Sequence, residues 1–207
     1  MMERGLYAIL DPAISGGRSL VELAEAVLSG GCAVLQLRAK QLSDRESVEL
    51  ARALKARCVS HRVPFVMNDR VDLARIVDAD GVHLGQDDLP IDVVRPLLGD
   101  MWIGISTHTL TQAIAAEKAG AAMIGFGPVF PTTSKENPDP TVGVTRLREV
   151  AGSVNIPVAA IGGVTSGNVH DVATSGAAYA AVISALSTAD SPEATARELH
   201  RAMRGER

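Results

Sequence analysis

Asn68-Asp69 and Gln86-Asp87-Asp88 are two acidic clusters with the residue types that hold a hard divalent cation. The stretch between them, VDLARIVDADGVHLG, reads as a helix followed by a buried strand. One helix–strand step therefore separates two carboxylate sites, each just past an apolar run. In parallel α/β proteins such strand ends open onto the ligand site. Mg²⁺ suits this donor set, because it is commonly held by one or two carboxylates together with substrate phosphates. Each aspartate also has a plainer reading. Asp69 could cap a helix, and Asp88 could cap one beginning near Leu89-Pro90. Residue physics alone does not choose between Asp87 and Asp88.

An anion would need cations nearby. Gln36, Arg38 and Lys40 alternate along one extended segment, so their side chains share a side. Aimed at a binding mouth they form a phosphate clamp, Arg offering a planar fork and Lys a point charge; the alternative is ordinary surface cations. Ser106 ends another apolar run. Segment 128–140 carries Pro128, Pro131, Pro138 and Pro140 with Thr132, Thr133, Ser134 and Lys135. It is too polar and proline-rich for regular structure, and suits either a loop covering a substrate or a plain surface loop. Gly162-Gly163 and Ser184 each follow a late apolar run, where exposed backbone N–H groups can hold a phosphate. Among the histidines, His61 and His200 read as solvated and His170 as lying on a surface helix. His83 reads as a hydrogen-bonded strand residue, and His108 as a minor candidate at the mouth. Cys32 and Cys58 read as buried packing residues without metal-ligand spacing.

These residues need a frame that brings distant strand ends together. Short apolar runs alternate with amphipathic stretches throughout. The expected strands are Leu6–Leu10, Ala33–Leu37, Phe65–Asn68, Gly81–Leu84, Trp102–Ser106, Ala122–Phe126, Val158–Ile161 and Tyr179–Ser184. Ser43 with Glu46 makes a capping box, and Thr109 leads the helix before Gly120. Gly30-Gly31, Gly120 and Gly176 each end a helix shortly before an apolar run, as left-handed C-caps do. In the second helix Val48, Leu50, Leu54 and Val59 show rough helical spacing. Strict alternation of eight strands and eight helices predicts an α/β fold, a single (β/α)₈ TIM barrel over residues 1–207, ahead of a doubly wound open sheet.

Composition bounds the rest. The 207 residues suffice for one compact barrel, and 46% hydrophobic with only 3% aromatic residues implies an aliphatic core. A net charge of −4 without long runs offers no broad basic face to nucleic acid. No apolar run approaches membrane-spanning length and no leader pattern opens the chain, so a cytoplasmic protein is expected. The outer helix faces do not separate a monomer from a homo-oligomer.

The motifs QLRAK, NDRVDLARIVDADGVHLGQDD, GISTHTLTQAIAAEKAGA, GFGPVFPTTSK, IPVAAIGGVT and AVISAL, in that order, resemble the thiamine phosphate synthase family along nearly the whole chain. The resemblance implies a (β/α)₈ barrel that uses Mg²⁺. It implies a transferase that couples 4-amino-2-methyl-5-(diphosphooxymethyl)pyrimidine with 4-methyl-5-(2-phosphooxyethyl)thiazole, giving thiamine phosphate and diphosphate. By motif position, Gln36, Arg38 and Lys40 would hold the pyrimidine diphosphate with Asn68, Ser106 and Lys135. Of these, Arg38, Lys40, Ser106 and Lys135 would be catalytic. Asp69 and Asp88 would bind Mg²⁺. Thr132, Thr133, Ser134, Gly163, Ile183 and Ser184 would face the thiazole phosphate. Ala39 departs from the acidic residue common between the clamp's Arg and Lys, and Ser134 stands where a second Thr is common. Two rival readings are a thiazole tautomerase and a non-catalytic protein binding thiamine intermediates. The first lacks the Asn-Asp pair, the GQxD position and the GPVFPT motif that this chain has.

Overall fold

Gly31, Gly120 and Gly176 end helices that return the chain to short apolar strands, and the strands close into one barrel. The computed structural model describes residues 3–132 and 140–206. The strands are β1 (Gly5–Leu10), β2 (Val34–Leu37), β3 (Phe65–Asn68), β4 (Gly81–Leu84), β5 (Trp102–Thr107), β6 (Met123–Phe126), β7 (Val158–Ile161) and β8 (Tyr179–Val182). All neighbours are parallel and follow chain order, with β8 closing on β1. Register sets Ile9 beside Gln36, Asn68 beside His83 and Ser106 beside Gly125. The (β/α)₈ expectation holds.

The surrounding helices are α1 (Leu20–Gly30), α2 (Asp44–His61), α3 (Val71–Ile76), α4 (Ile91–Leu98), α5 (Leu110–Lys118), α6 (Gly143–Ser153), α7 (Val169–Ala173), α8 (Ser184–Ser187) and α9 (Pro192–Arg204). Eight were expected. The extra one arises because the last apolar run stops as strand at Val182, and Ser184 starts a single helical turn. Ser43 with Glu46 and Thr109 with Gln112 both form capping boxes. The buried stripe of α2 differs from the apolar one in sequence. Ser47, Ala51, Leu54 and Cys58 face inward, whereas Val59 is 63% exposed. Three of these four, Ser47, Ala51 and Cys58, are small, and Leu54 supplies the one large side chain of the buried stripe.

Two apolar clusters divide the interior. The larger lies between strands and helices and is mainly aliphatic. The smaller fills the barrel itself, with Tyr7, Val34, Val66, Met123, Ala159 and Tyr179. Tyr7 and Tyr179 meet edge to face, ring centroids 6.3 Å apart. The core is thus mainly aliphatic throughout, with Tyr7 and Tyr179 inside the barrel and Phe65 and Phe126 in the outer layer.

Two histidines depart from expectation. His200 on α9 is half-buried beneath the barrel, and its Nδ1 accepts from the Leu6 N–H at 3.3 Å. Gly5 is required there, since a Cβ on it would lie 2.5 Å from the His200 ring. His61 is paired with Glu25 at 3.0 Å. His170 is exposed, and Cys32 and Cys58 are buried free thiols, as expected.

Candidate active site

Alternation along each strand decides which side chains enter the barrel; near the carboxyl ends those of β2 to β5 are the polar Gln36, Asn68, His83 and Ser106, whereas β1, β7 and β8 contribute Ile9, Ile161 and Ala181. They surround a cavity of about 500 Å³ at the mouth. Of the residues singled out in the sequence, Gln36, Arg38, Lys40, Asn68, Asp69, Asp88, Ser106, Thr132, Gly163, Ile183 and Ser184 line it, as do His83, Asp87 and His108. Thr133, Ser134 and Lys135 lie outside the described residues.

Each member of the β2 clamp is held by a neighbour. The Tyr7 O–H donates to Gln36 Oε1 at 2.7 Å, and Gln36 Nε2 donates to Asn68 Oδ1 at 2.9 Å. Arg38 Nη1 pairs with Asp11, which follows β1 and is buried. Lys40 Nζ lies 3.0 Å from Asp69 Oδ2. The alternation of Gln36, Arg38 and Lys40 does bring all three to the cavity, whereas the contacts of Tyr7 and Asp11 appear only once β1 is set beside β2.

Asp69 is not a helix cap. Arg70 stands at the start of α3, and Asp69 itself has a left-handed backbone, φ 62°. Such a conformation in a non-glycine residue is uncommon and often marks a functional turn. Burial pushes the Asp69 carboxyl above the ordinary carboxylate value; Lys40 opposes this, and the adjacent Asp88 adds to it. Asp88 does not cap α4 either, for Pro90 takes that place. Its Oδ2 accepts from the Gly85 N–H at 2.6 Å, closing the turn that carries it. Gln86 anchors this turn to β5 by donating to the Ser106 carbonyl at 2.6 Å. Two carboxylates are therefore held close enough to disfavour each other's charge, an arrangement that a cation between them would relieve. Among the described residues no larger group of metal-binding side chains exists. Two carboxylates are the usual protein share for Mg²⁺ when substrate phosphates supply the rest, so the donor set fits that ion.

The imidazoles are built into the wall. His83 Nε2 lies 3.0 Å from Ser106 Oγ. Gly104 makes room, since a Cβ there would come within 2.5 Å of the His83 ring. His108 Nδ1 donates to the Gly127 carbonyl at 2.7 Å, which fixes the proton on that nitrogen.

The opposite wall works through backbone. Gly162 and Gly163 have φ of 95° and 65°. Their carbonyls accept from Phe130 N–H at 3.0 Å and Asn168 Nδ2 at 2.9 Å. Trans peptide units point N–H opposite to C=O, so the Gly163 and Val164 N–H groups face away from those partners. Asn168 was not foreseen from sequence; its Oδ1 also accepts from Thr165 N–H at 2.8 Å. Ser184, the first residue of α8, stands beside this wall.

Known proteins resemble this chain in sequence and fold. A family model described as thiamine monophosphate synthase matches residues 6–186. The thiamine-phosphate synthase of Shouchella clausii is 45% identical over 199 residues, covering 96% of this chain and 95% of that protein. That of Chloroflexus aurantiacus is 43% identical over 196 residues, covering 94% and 90%. A solved structure of thiamine phosphate pyrophosphorylase from Pyrococcus furiosus superposes with a TM-score of 0.90 at 36% identity, covering 99% and 97% of the two chains. With a match over most of its length and a barrel mouth of this composition, the chain belongs to the thiamine monophosphate synthase family.

Proposed function

We infer that the protein is a thiamine-phosphate synthase, a transferase acting as one catalytic domain on two small phosphorylated substrates. The observation that carries this reading furthest is the charge at the mouth. Among the described residues Arg38 and Lys40 line the cavity with three carboxylates, Asp69, Asp87 and Asp88, and Asp11 pairs with Arg38 from behind. A wall of that sign repels a diphosphate unless a cation accompanies it. Asp69 and Asp88 would hold Mg²⁺, which when bound neutralises the diphosphate and eases its departure.

In this reading the pyrimidine diphosphate lies along β2 and β3, with its phosphates on Arg38 and Lys40 and its ring near Gln36, Asn68 and Ser106. Lys135 joins them by its position in the family motif. Thr132, Thr133, Ser134, Gly163, Ile183 and Ser184 take the thiazole phosphate. The methylene C–O bond breaks and its electron pair leaves with diphosphate; the thiazole nitrogen supplies the pair for the new C–N bond. That nitrogen has no proton to lose, so no strong base is required. The aminopyrimidine can carry positive charge as the bond breaks, which favours a dissociative path. The protein's part is to neutralise the leaving group and align the nucleophile. Among the described residues no helix is long and apolar enough to cross a membrane. We place the activity in the cytoplasm.

The test mixes purified protein with both substrates, with Mg²⁺ or with a chelator, and follows diphosphate release. Release that depends on Mg²⁺ and on both substrates is expected. Its absence would overturn the synthase reading, and binding of both substrates without turnover would make the protein a binder.

A further inference from the structure

Strand β1 contributes nothing to the clamp as read from sequence, yet Tyr7 on it and Asp11 just after it each hold a clamp member. We propose that Tyr7 and Asp11 are positioning residues that set the hydrogen-bond polarity and aim of Gln36 and Arg38 toward the diphosphate-bearing substrate. This rests on the synthase reading for the substrate's identity, though not for the geometry.

Tyr7 sets the polarity of the amides beside it. Its phenol is buried in the barrel, and burial holds it protonated far above the ordinary range. A buried O–H must find an acceptor. Among the described residues that acceptor is Gln36 Oε1, at 2.7 Å. With Oε1 engaged, the Gln36 amide has one orientation, and its Nε2 points to Asn68 Oδ1 at 2.9 Å. Asn68 is then fixed too, with its Nδ2 left to donate. Reversing both amides would leave the Tyr7 O–H without an acceptor. The wall from β2 to β3 therefore presents N–H donors, and it selects ring nitrogens or phosphate oxygens over groups that only donate.

Asp11 does the same for direction. Its Oδ1 accepts from the Ala13 N–H at 2.9 Å and its Oδ2 pairs with Arg38 Nη1, so the carboxylate is tied to the backbone at one oxygen. It is 2% exposed, whereas the Arg38 side chain is 21% exposed. A guanidinium pinned at one nitrogen by a fixed buried anion keeps its remaining N–H groups in one plane. Free of that anchor, the side chain would have to be ordered by each arriving diphosphate.

Double-mutant cycles test this. Tyr7→Phe keeps the ring against Tyr179 and removes only the O–H; Asp11→Asn keeps the shape and removes the charge. Each is made alone and with Gln36→Ala or Arg38→Ala respectively. The readouts are kcat/KM for each substrate and the Kd of inorganic diphosphate with Mg²⁺. Tyr7→Phe should lower kcat/KM for the pyrimidine diphosphate roughly tenfold, a typical loss for one buried hydrogen bond. KM for the thiazole phosphate should stay within about twofold, and the loss should vanish in the Gln36→Ala background. Asp11→Asn should weaken diphosphate binding by about tenfold in the wild-type background and leave it unchanged in Arg38→Ala. Equal losses in both backgrounds, or equal losses for both substrates, would overturn the proposal. If the wild-type protein releases no diphosphate, the synthase reading fails, while the Asp11 cycle in diphosphate binding still decides the positioning role. Should Asp11→Asn not fold, Tyr7→Phe decides it.

Discussion

At the amino-terminal end of the barrel Val34, Val66 and Tyr179 pack inside the strands, together with Tyr7 and Met123, which also line the cavity and so join the two ends. At the carboxyl end the next inward positions are Gln36, Asn68, His83 and Ser106, surrounding an open cavity. Two residues of travel along β2 and β3 thus exchange the buried Val34 and Val66 for the polar Gln36 and Asn68. The lower half supplies stability and fixes the strands; the upper half carries charges that repel one another and cost stability. Substitutions should separate the same way, with rate changing above and stability below.

The sharpest separation is expected within the acidic turn after β4. Asp88→Asn keeps an acceptor for the Gly85 N–H but removes the charge that faces Asp69. Turnover should fall on the order of a hundredfold, about 3 kcal/mol of barrier, as for loss of one electrostatic contact to a leaving group. The melting temperature should hold or rise, because a repulsion is relieved. Asp87→Asn should alter turnover by no more than about threefold, being peripheral to the pair. Equal losses at the two positions would reject the assignment of the metal ligand.

The converse substitution lies one alternation below. Val66 is fully buried beside the base of the clamp. Val66→Ala should cost about 2 kcal/mol of stability through lost transfer energy and residual cavity. Urea unfolding would show this, while kcat of the folded enzyme should stay within about threefold. A larger loss of rate than of stability would mean that the plug aligns the mouth, and the two ends would not be separable.

Gly163→Ala probes the wall that works through backbone. The position has φ 65°, and a Cβ there would lie 2.4 Å from the Pro131 carbonyl. The strain should cost about 1–3 kcal/mol and push the loop or segment 128–132 aside. KM for the thiazole phosphate should rise by about tenfold with a much smaller change for the pyrimidine diphosphate. A uniform effect on both substrates would place the glycine in general packing instead.

This contrast also explains what the sequence could reveal. The strands were legible as short apolar runs, those after Gly31, Gly120 and Gly176 with a glycine-ended helix before them as well, and both marks are local. Gln36, Arg38 and Lys40 were legible by alternation alone. Tyr7 and Asp11 were not, because their effect depends on the register of β1 against β2, a non-local quantity. The α2 stripe was misjudged because Ser47 and Cys58 bury well for their size while Val59 stays outside. The choice of Asp88 over Asp87 came from family resemblance, and the nearness of Asp88 to Asp69 now gives it a physical reason. Asn168 escaped notice because its work is to hold a carbonyl three-dimensionally adjacent to it.

A smaller effect is expected at His108, whose ring faces the mouth but is tied to the Gly127 carbonyl. His108→Ala should slow turnover only about threefold to tenfold, in keeping with a group that shapes the wall rather than moving a proton. Complete loss of diphosphate release would instead reopen proton transfer as the chemistry.

The smallest effect belongs to the opposite end, at His200. Burial, with the Arg204 charge adding to it and Glu206 and Glu3 opposing, holds His200 below its ordinary value of 6.5. Its Nδ1 must keep a lone pair for the Leu6 N–H, which favours the neutral ring. An unfolded chain therefore takes up a proton that the folded chain resists. The contribution to stability is full above the ordinary value, falls as pH drops through it, and stops changing below the depressed folded value. Urea midpoints measured from about pH 7.5 down to about pH 5 should show that decline, and His200→Asn, which keeps an acceptor without titrating, should flatten it. The pH profile of turnover should be the same in both proteins. A shift of that profile in His200→Asn would show that charge beneath the barrel reaches the mouth, and the division between the two ends would fail.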